Sequence, residues 1–301
     1  DFFGVIQRIY TIFSCSTKRW QILKENVGLT LKSLSSTRWE SRGDSVKAIR
    51  FQMSDIREAL LQVADIDNDS KVKSEAKSLA MNELGDFEFL VAIIIWYEIL
   101  HAVNIVSKFL QSKDMLVDVA IEKIKGLISF FESYRETGFN DALNSAKELA
   151  FEMNVDPVFP QKREIRRKRF FEENLDSSSS TPLSAEEKFR VDYFLNIVDQ
   201  ALSSLNRRFE EYKNYENIFG FLFTSNKFKS LDDKSLKNSC VQLENALKND
   251  ELSDIDGNDL YMELKLLRDF LPADIVGATN VLKYSKDLIV SPMGLLLIEF
   301  Y

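Results

Sequence analysis

The chain has 301 residues, 45% of them hydrophobic and 29% charged, with a formal net charge of −8. A globule of this length buries about 75% of its unfolded surface, enough for one large domain or two packed subdomains. The negative balance excludes a grip on nucleic acid spread over the whole surface, because phosphate binding needs a positive field; any such contact has to be local.

Phenylalanine is abundant (23) while glycine (10) and proline (5) are scarce, which predicts long helices with short connections. Phe2, Phe3, Ile6, Ile9, Tyr10 and Phe13 recur at helical spacing and predict a first amphipathic helix. The hydroxyl-rich Ser14-Cys15-Ser16-Thr17 is expected to break and recap the chain before a short helix from Lys18 to Glu25. Val46, Ile49, Met53, Ile56 and Leu60 form the stripe of a third helix, followed by a polar turn from Ala64 to Ser70. From Glu75 to about Ser112 the pattern predicts one long helix or two stacked ones, apolar nearly all round in the middle and so central. Asp114 is the expected N-cap of a helix ending near Arg135, with Gly138 as its stop and a further helix from Asn140 to Met153. Pro157 and Pro160 close this half, residues 1–160.

The composition then changes. Lys162, Arg163, Arg166, Arg167, Lys168 and Arg169 make a basic run, and a serine-rich stretch follows. Residues 161–185 are therefore expected to form an exposed linker. Ser184 with Glu187 has the form of a capping box and opens a long helix whose Phe194, Ile197, Val198, Ala201, Leu205 and Phe209 share a face. Helices from Asp232 to Lys248 and from Gly257 to about Phe270 follow, then a weaker one from Val276 to Leu288; these complete a second half, 186–290. The tail 291–301 is apolar without a period. No run alternates as a sustained strand would, so the class is mainly α.

Chemistry-bearing clusters are sparse. His101, the one histidine, sits in the most apolar helix and reads as a buried structural residue. Cys15 and Cys240 are far apart, which fits a reducing, intracellular compartment and no disulfide framework. Cys15, His101 and Cys240 do not have the close spacing of a zinc site. Asp65-x-Asp67-x-Asp69 and Asp254-x-Asp256-x-Asn258 lack the glycine and glutamate a calcium loop needs, and no glycine-rich phosphate loop occurs. No cofactor is expected. The longest apolar run, Phe89 to Tyr97, is short of the roughly 20 residues a bilayer requires. The basic run admits a nuclear localisation signal or a phosphate-contacting patch, beside the plainer reading of a charged helix end.

Phe2-Phe3, Tyr10, Phe13, Ser16 and Arg19-Trp20, followed by Ser36-Thr37-Arg38-Trp39-Glu40-Ser41-Arg42 and Val46-Lys47-Ala48-Ile49, resemble the hAT superfamily of transposases. The likeness is greatest to host-encoded zinc finger MYM-type and TTF-type relatives. Phe189 to Phe194, Arg207-Arg208 and Asp256 to Leu264 agree, so the resemblance extends to about Pro292. It implies the multi-helix insertion domain of a ribonuclease H-like transposase, with the β core largely outside this chain. It also implies that the two catalytic aspartates lie upstream and the catalytic glutamate downstream. The expected chain is thus an internal-to-C-terminal fragment that is not itself an enzyme; Glu299 lacks the family's flanking residues.

By the same resemblance, Trp39 stabilises a flipped base and Arg38 and Arg42 contact phosphate, a role an exposed ring can fill by stacking. The plainer alternative is Trp39 as a packing anchor with Arg38 as its ion-pair partner. The implied partners are DNA and, through a C-terminal dimerisation region, a second copy; the implied location is the nucleus. Three functional expectations stay open: a domesticated or degenerate transposase-derived protein that binds DNA or protein, a piece of a transposase whose flanks carry the carboxylates, or a remnant without a selected role.

Overall fold

The computed structural model describes residues 2–35, 39–112, 117–161, 183–249 and 252–288, with the backbone alone at Trp39, Phe228, Asp287 and Leu288. These residues are mainly helical, as the sequence pattern predicts, with one antiparallel pair of two-residue strands. They form two compact units: Asp1–Lys108 with Ser129–Leu202, and Phe109–Ile128 with Ser203–Tyr301.

The first unit begins with α1 (Phe2–Ser14), whose Val5, Ile6, Ile9, Ile12 and Phe13 are buried. The chain breaks at Ser16, as expected, but that residue's hydroxyl makes no cap to α2 (Thr17–Asn26). Arg19 closes the corner instead: its guanidinium donates to the Ile12 carbonyl at 2.9 Å and pairs with Asp67 at 3.0 Å. The expected third helix is two helices, α3 (Trp39–Phe51) and α4 (Met53–Ile66). Gln52 interrupts them. Its buried amide accepts from Leu29 N at 2.9 Å and donates to Leu29 O at 2.6 Å, tying an upstream loop to the junction.

In the acidic turn after α4, Asp69 caps α5 (Ser70–Ser78) by accepting from Lys71 N, while Asp67 pairs with Arg19. These two carboxylates thus sit at helix ends, Asp67 closing α4 and Asp69 opening α5. Among the described residues no group of three or more His, Cys, Asp or Glu could hold a metal ion. The expected helix from Glu75 is broken: α5 runs into a π turn at Leu79–Glu83, and α6 (Phe87–Leu110) starts afresh. Leu79 and Leu84 are both fully buried although five residues apart. An α-helix would set such a pair about 140° apart. The wider turn brings them onto one face, and Leu84 N donates to Leu79 O at 2.9 Å.

With 24 residues, α6 is the one described helix long and apolar enough to cross a membrane by length and composition; half of its most apolar window is buried within the protein. Phe89 to Ile95 are core. His101, expected to be buried, is instead exposed and stacks on the Tyr97 ring at 5.5 Å, because it lies on the partly exposed face of Tyr97.

Two helices expected around Gly138 are one, α7 (Val117–Glu152). Gly138 permits a close contact there and does not stop the helix. A Cβ at this position would lie 2.3 Å from Tyr134 Cδ2, so the missing side chain makes room for that ring one turn earlier. The helix ends with Asn154 at φ 51 and with Val155 N donating to Ala150 O at 2.8 Å, the left-handed cap that asparagine tolerates. Asp114, the expected N-cap, and the basic and serine-rich residues 162–182 lie outside the described residues.

Ser184 accepts from Glu187 N at 3.1 Å and opens α8 (Ala185–Phe189), so half of the expected capping box forms. The Glu187 carboxylate turns to Arg190 at 2.8 Å instead. A π turn at Arg190–Leu195 leads into α9 (Asn196–Phe219). Residues up to Leu202 belong with the first unit, because Phe189 packs on Phe159 at 5.3 Å and Phe194 on Phe139 at 5.6 Å.

In the second unit, α10 (Ser225–Ser230) precedes α11 (Asp233–Leu247); strands β1 (Lys248–Asn249) and β2 (Leu252–Ser253) link α11 to α12 (Gly257–Phe270), and α13 (Ala278–Leu288) follows. α11 and α12 run antiparallel: Asp233 at the start of one meets Lys265 at 2.7 Å and Arg268 at 2.6 Å near the end of the other. Leu236, Cys240, Leu243, Leu260, Leu264 and Leu267 fill the seam. Asp256 caps α12 through the amides of Asn258 and Asp259, which explains the second acidic cluster.

Candidate functional site

The motif Ser36 to Arg42 leads into α3, and the chain ahead of this helix is held at four points. Leu34 N donates to Gln7 at 3.0 Å, Ser35 N to the Ser41 hydroxyl at 3.0 Å, the Ser45 hydroxyl to Lys32 O at 2.8 Å, and Lys32 pairs with Asp44 at 2.7 Å. Together with the Gln52 clamp, these bonds hold the segment up to Ser35 against its neighbours. Trp39 is the first residue of α3; Arg38 and the Trp39 side chain lie outside the described residues. Arg42 lies one turn into the helix, half-buried, with its guanidinium 5.2 Å above the Phe3 ring.

Phe3 belongs to an aromatic cluster that joins α1, α6 and the second π turn. It meets Trp96 edge-on at 4.7 Å, Phe2 stacks on the same indole at 6.1 Å, and Trp96 Nε1 donates to the Tyr193 hydroxyl at 3.0 Å. Burial raises the Tyr193 phenol above its ordinary range, against the opposing pull of the Trp96 bond. The Phe2-Phe3 and Phe189 to Phe194 segments, far apart in sequence, are therefore packed in one place. Arg19-Trp20, the other pair in the resemblance, is structural: Arg19 pairs with Asp67, and Trp20 meets Tyr10 edge-on at 6.1 Å.

Beside this cluster lies a cavity of about 800 Å³, floored by Phe2, Phe89, Phe189 and Tyr193 and edged by Glu83 and Asp192. Glu83 is engaged by Arg8 at 3.0 Å. Glu88 and Lys188 also line the cavity. The six basic residues Lys162, Arg163, Arg166, Arg167, Lys168 and Arg169 fall outside the described residues.

The other end of α3 holds a group of residues that the motif did not point to. The Arg50 guanidinium lies 4.4 Å from the Tyr97 ring centre and 5.1 Å from that of Phe51. Phe51 meets Tyr97 edge-on at 5.1 Å and is 57% exposed. His101 extends the stack by one turn along α6, with its ring 13° from the Tyr97 plane. The i, i+4 spacing of Tyr97 and His101 was a readable signal that they share a helix face. Beneath them, burial raises the Glu98 carboxyl above its ordinary range, opposed by the Tyr134 hydroxyl and the Arg50 charge and reinforced by Asp141. Burial chiefly, and Glu98 next, raise the Tyr134 phenol.

No protein-family model matches the chain, and no solved structure matches it.

Proposed function

We propose that this chain is the helical insertion region of a hAT transposase-like protein, that it associates with DNA in the nucleus, and that it does not itself perform strand chemistry. The catalytic carboxylates of such proteins would come from chain segments outside this one. The observation that supports the DNA reading best is the setting of the Ser36 to Arg42 motif. It enters a 13-residue helix from a segment held by Gln7, Ser41, Ser45 and Asp44. Arg42, one turn into that helix, is thereby carried on a positioned backbone, which phosphate contact requires.

The test is binding of a fluorescent DNA duplex with a frayed end, followed by anisotropy across salt concentrations. Trp39→Ala should weaken binding about tenfold, the scale of one lost base stack. Arg42→Ala should flatten the logarithmic salt slope by about 0.9, the value of one phosphate contact. Failure of the unaltered chain to bind the duplex at low salt would sink the proposal.

A further inference from the structure

Most basic side chains near α3 are already engaged. Lys32 is paired with Asp44, Lys108 with Glu40, and Arg19 with Asp67. Arg50 and Lys47 differ. Among the described residues neither makes an ion pair or a side-chain hydrogen bond, and Lys47 is exposed. They stand three residues apart, so they project from neighbouring points on one face of α3.

The arrangement around Arg50 is specific. The Arg50 guanidinium lies 4.4 Å from one ring centre and 5.1 Å from another, and cation–π contact uses the face of such a group while hydrogen bonding uses its edge. Phe51 adds an exposed flat ring beside it, and His101, exposed and stacked on Tyr97, supplies a second. An exposed ring next to a cation is the combination that receives a base on one element and its phosphate on the other. A paired base, enclosed in a duplex, offers no open face to such a ring, whereas an unpaired one does.

We infer that Arg50, Phe51, Tyr97 and His101, with Lys47 as a second phosphate contact, form a seat for an unpaired nucleic-acid strand along the exposed edge of α3 and α6. This rests on the proposed association with DNA and adds a strand-selective contact at the opposite end of the motif helix. The attraction comes from two neighbouring cations, Arg50 and Lys47, in a chain whose net charge is −8.

The experiment measures anisotropy of a fluorescein-labelled oligothymidine 15-mer with the full chain at low salt. Phe51→Ala should weaken binding about tenfold. Arg50→Lys, which keeps the charge and loses the planar fork, should also weaken it, and Lys47→Ala should lower the salt slope by about 0.7, as expected for a single strand. Circular dichroism of each variant verifies that it folds; Phe51 is exposed enough for its loss to leave the fold intact. The inference is overturned if the unaltered chain does not bind the 15-mer, if Phe51→Ala and Arg50→Lys bind it unchanged, or if oligoglutamate competes as well as oligothymidine. Its failure is distinct from that of the motif reading. Duplex binding that depends on Trp39 with 15-mer binding indifferent to Phe51 defeats only this inference, and the reverse pattern defeats only the other.

Discussion

Replacing Gly138 by alanine should destabilise the protein, against the ordinary rule for helix interiors. In an exposed helix that change stabilises by about 0.8–1.0 kcal/mol, because glycine has more backbone freedom to lose. Here the new methyl would meet three atoms of Tyr134, at 2.3, 2.4 and 2.7 Å. Those distances are far inside the ~3.5 Å of ordinary carbon contact. The ring cannot swing aside freely, since only 6% of Tyr134 is exposed, Phe130 stacks on it at 5.6 Å and Phe194 meets it edge-on at 5.4 Å. Overpacking costs about 1–3 kcal/mol, and a three-atom clash against a fixed ring belongs at the upper end. Subtracting the propensity gain leaves a net loss of about 2 kcal/mol, or a fall in Tm of roughly 4–8 °C for a unit of this size. Thermal and urea melts followed by circular dichroism measure it. The same substitution in a Tyr134→Ala background should be stabilising, which makes the coupling about 3 kcal/mol. A Gly138→Ala protein as stable as the original, or a cycle with no coupling, would refute the reasoning.

The half-buried Glu98 carboxyl gives a pH-dependent expectation. Because burial raises Glu98 in the folded state, its contribution to stability is full below its ordinary value of 4.5 and is lost as pH rises through the raised one. Glu98→Gln should therefore be more stable than the original at pH 8, with the advantage gone by pH 4; melts showing no pH dependence of the difference would contradict this. The two thiols should separate in alkylation. Cys15 is exposed, whereas Cys240 is buried in the α11–α12 seam with its thiol pushed up to about 12, so native protein should take iodoacetamide at Cys15 and accept it at Cys240 only in denaturant. Comparable native rates, read by mass spectrometry, would refute the burial of Cys240.

The helices were legible wherever apolar spacing alone positioned them, as in α1, α11 and α12. Spacing did not reveal what a distant partner imposed. Val46, Ile49, Met53, Ile56 and Leu60 keep an unbroken helical period, yet the chain breaks at Gln52 because that side chain binds Leu29, 23 residues earlier. Gly138 has the look of a stop, and its real role depends on a tyrosine side chain whose packing the sequence does not display. His101 was placed inside by the apolarity of its neighbours, although it lies on the partly exposed face of Tyr97 while Ile99 and Leu100 keep to the core. For the site, the Ser36 to Arg42 motif was readable only as a resemblance, since an Arg-Trp pair has no chemistry of its own. Tyr97 and His101 could be put on one face by counting. Arg50 could not be joined to them, because that contact links two helices whose pairing only the folded chain defines.

The two π turns have a consequence for how this protein can change length. Removing one residue from an α-helix rotates everything downstream by about 100°, which carries a buried face into solvent. At Leu79–Glu83 and Arg190–Leu195 the helix already contains one residue more than the α repeat needs. Loss of an exposed residue there, such as Met81 or Asp192, would convert the wide turn into an ordinary one and leave the later faces in register. Elsewhere in these helices a single-residue deletion breaks the core. At these two places the fold can absorb one.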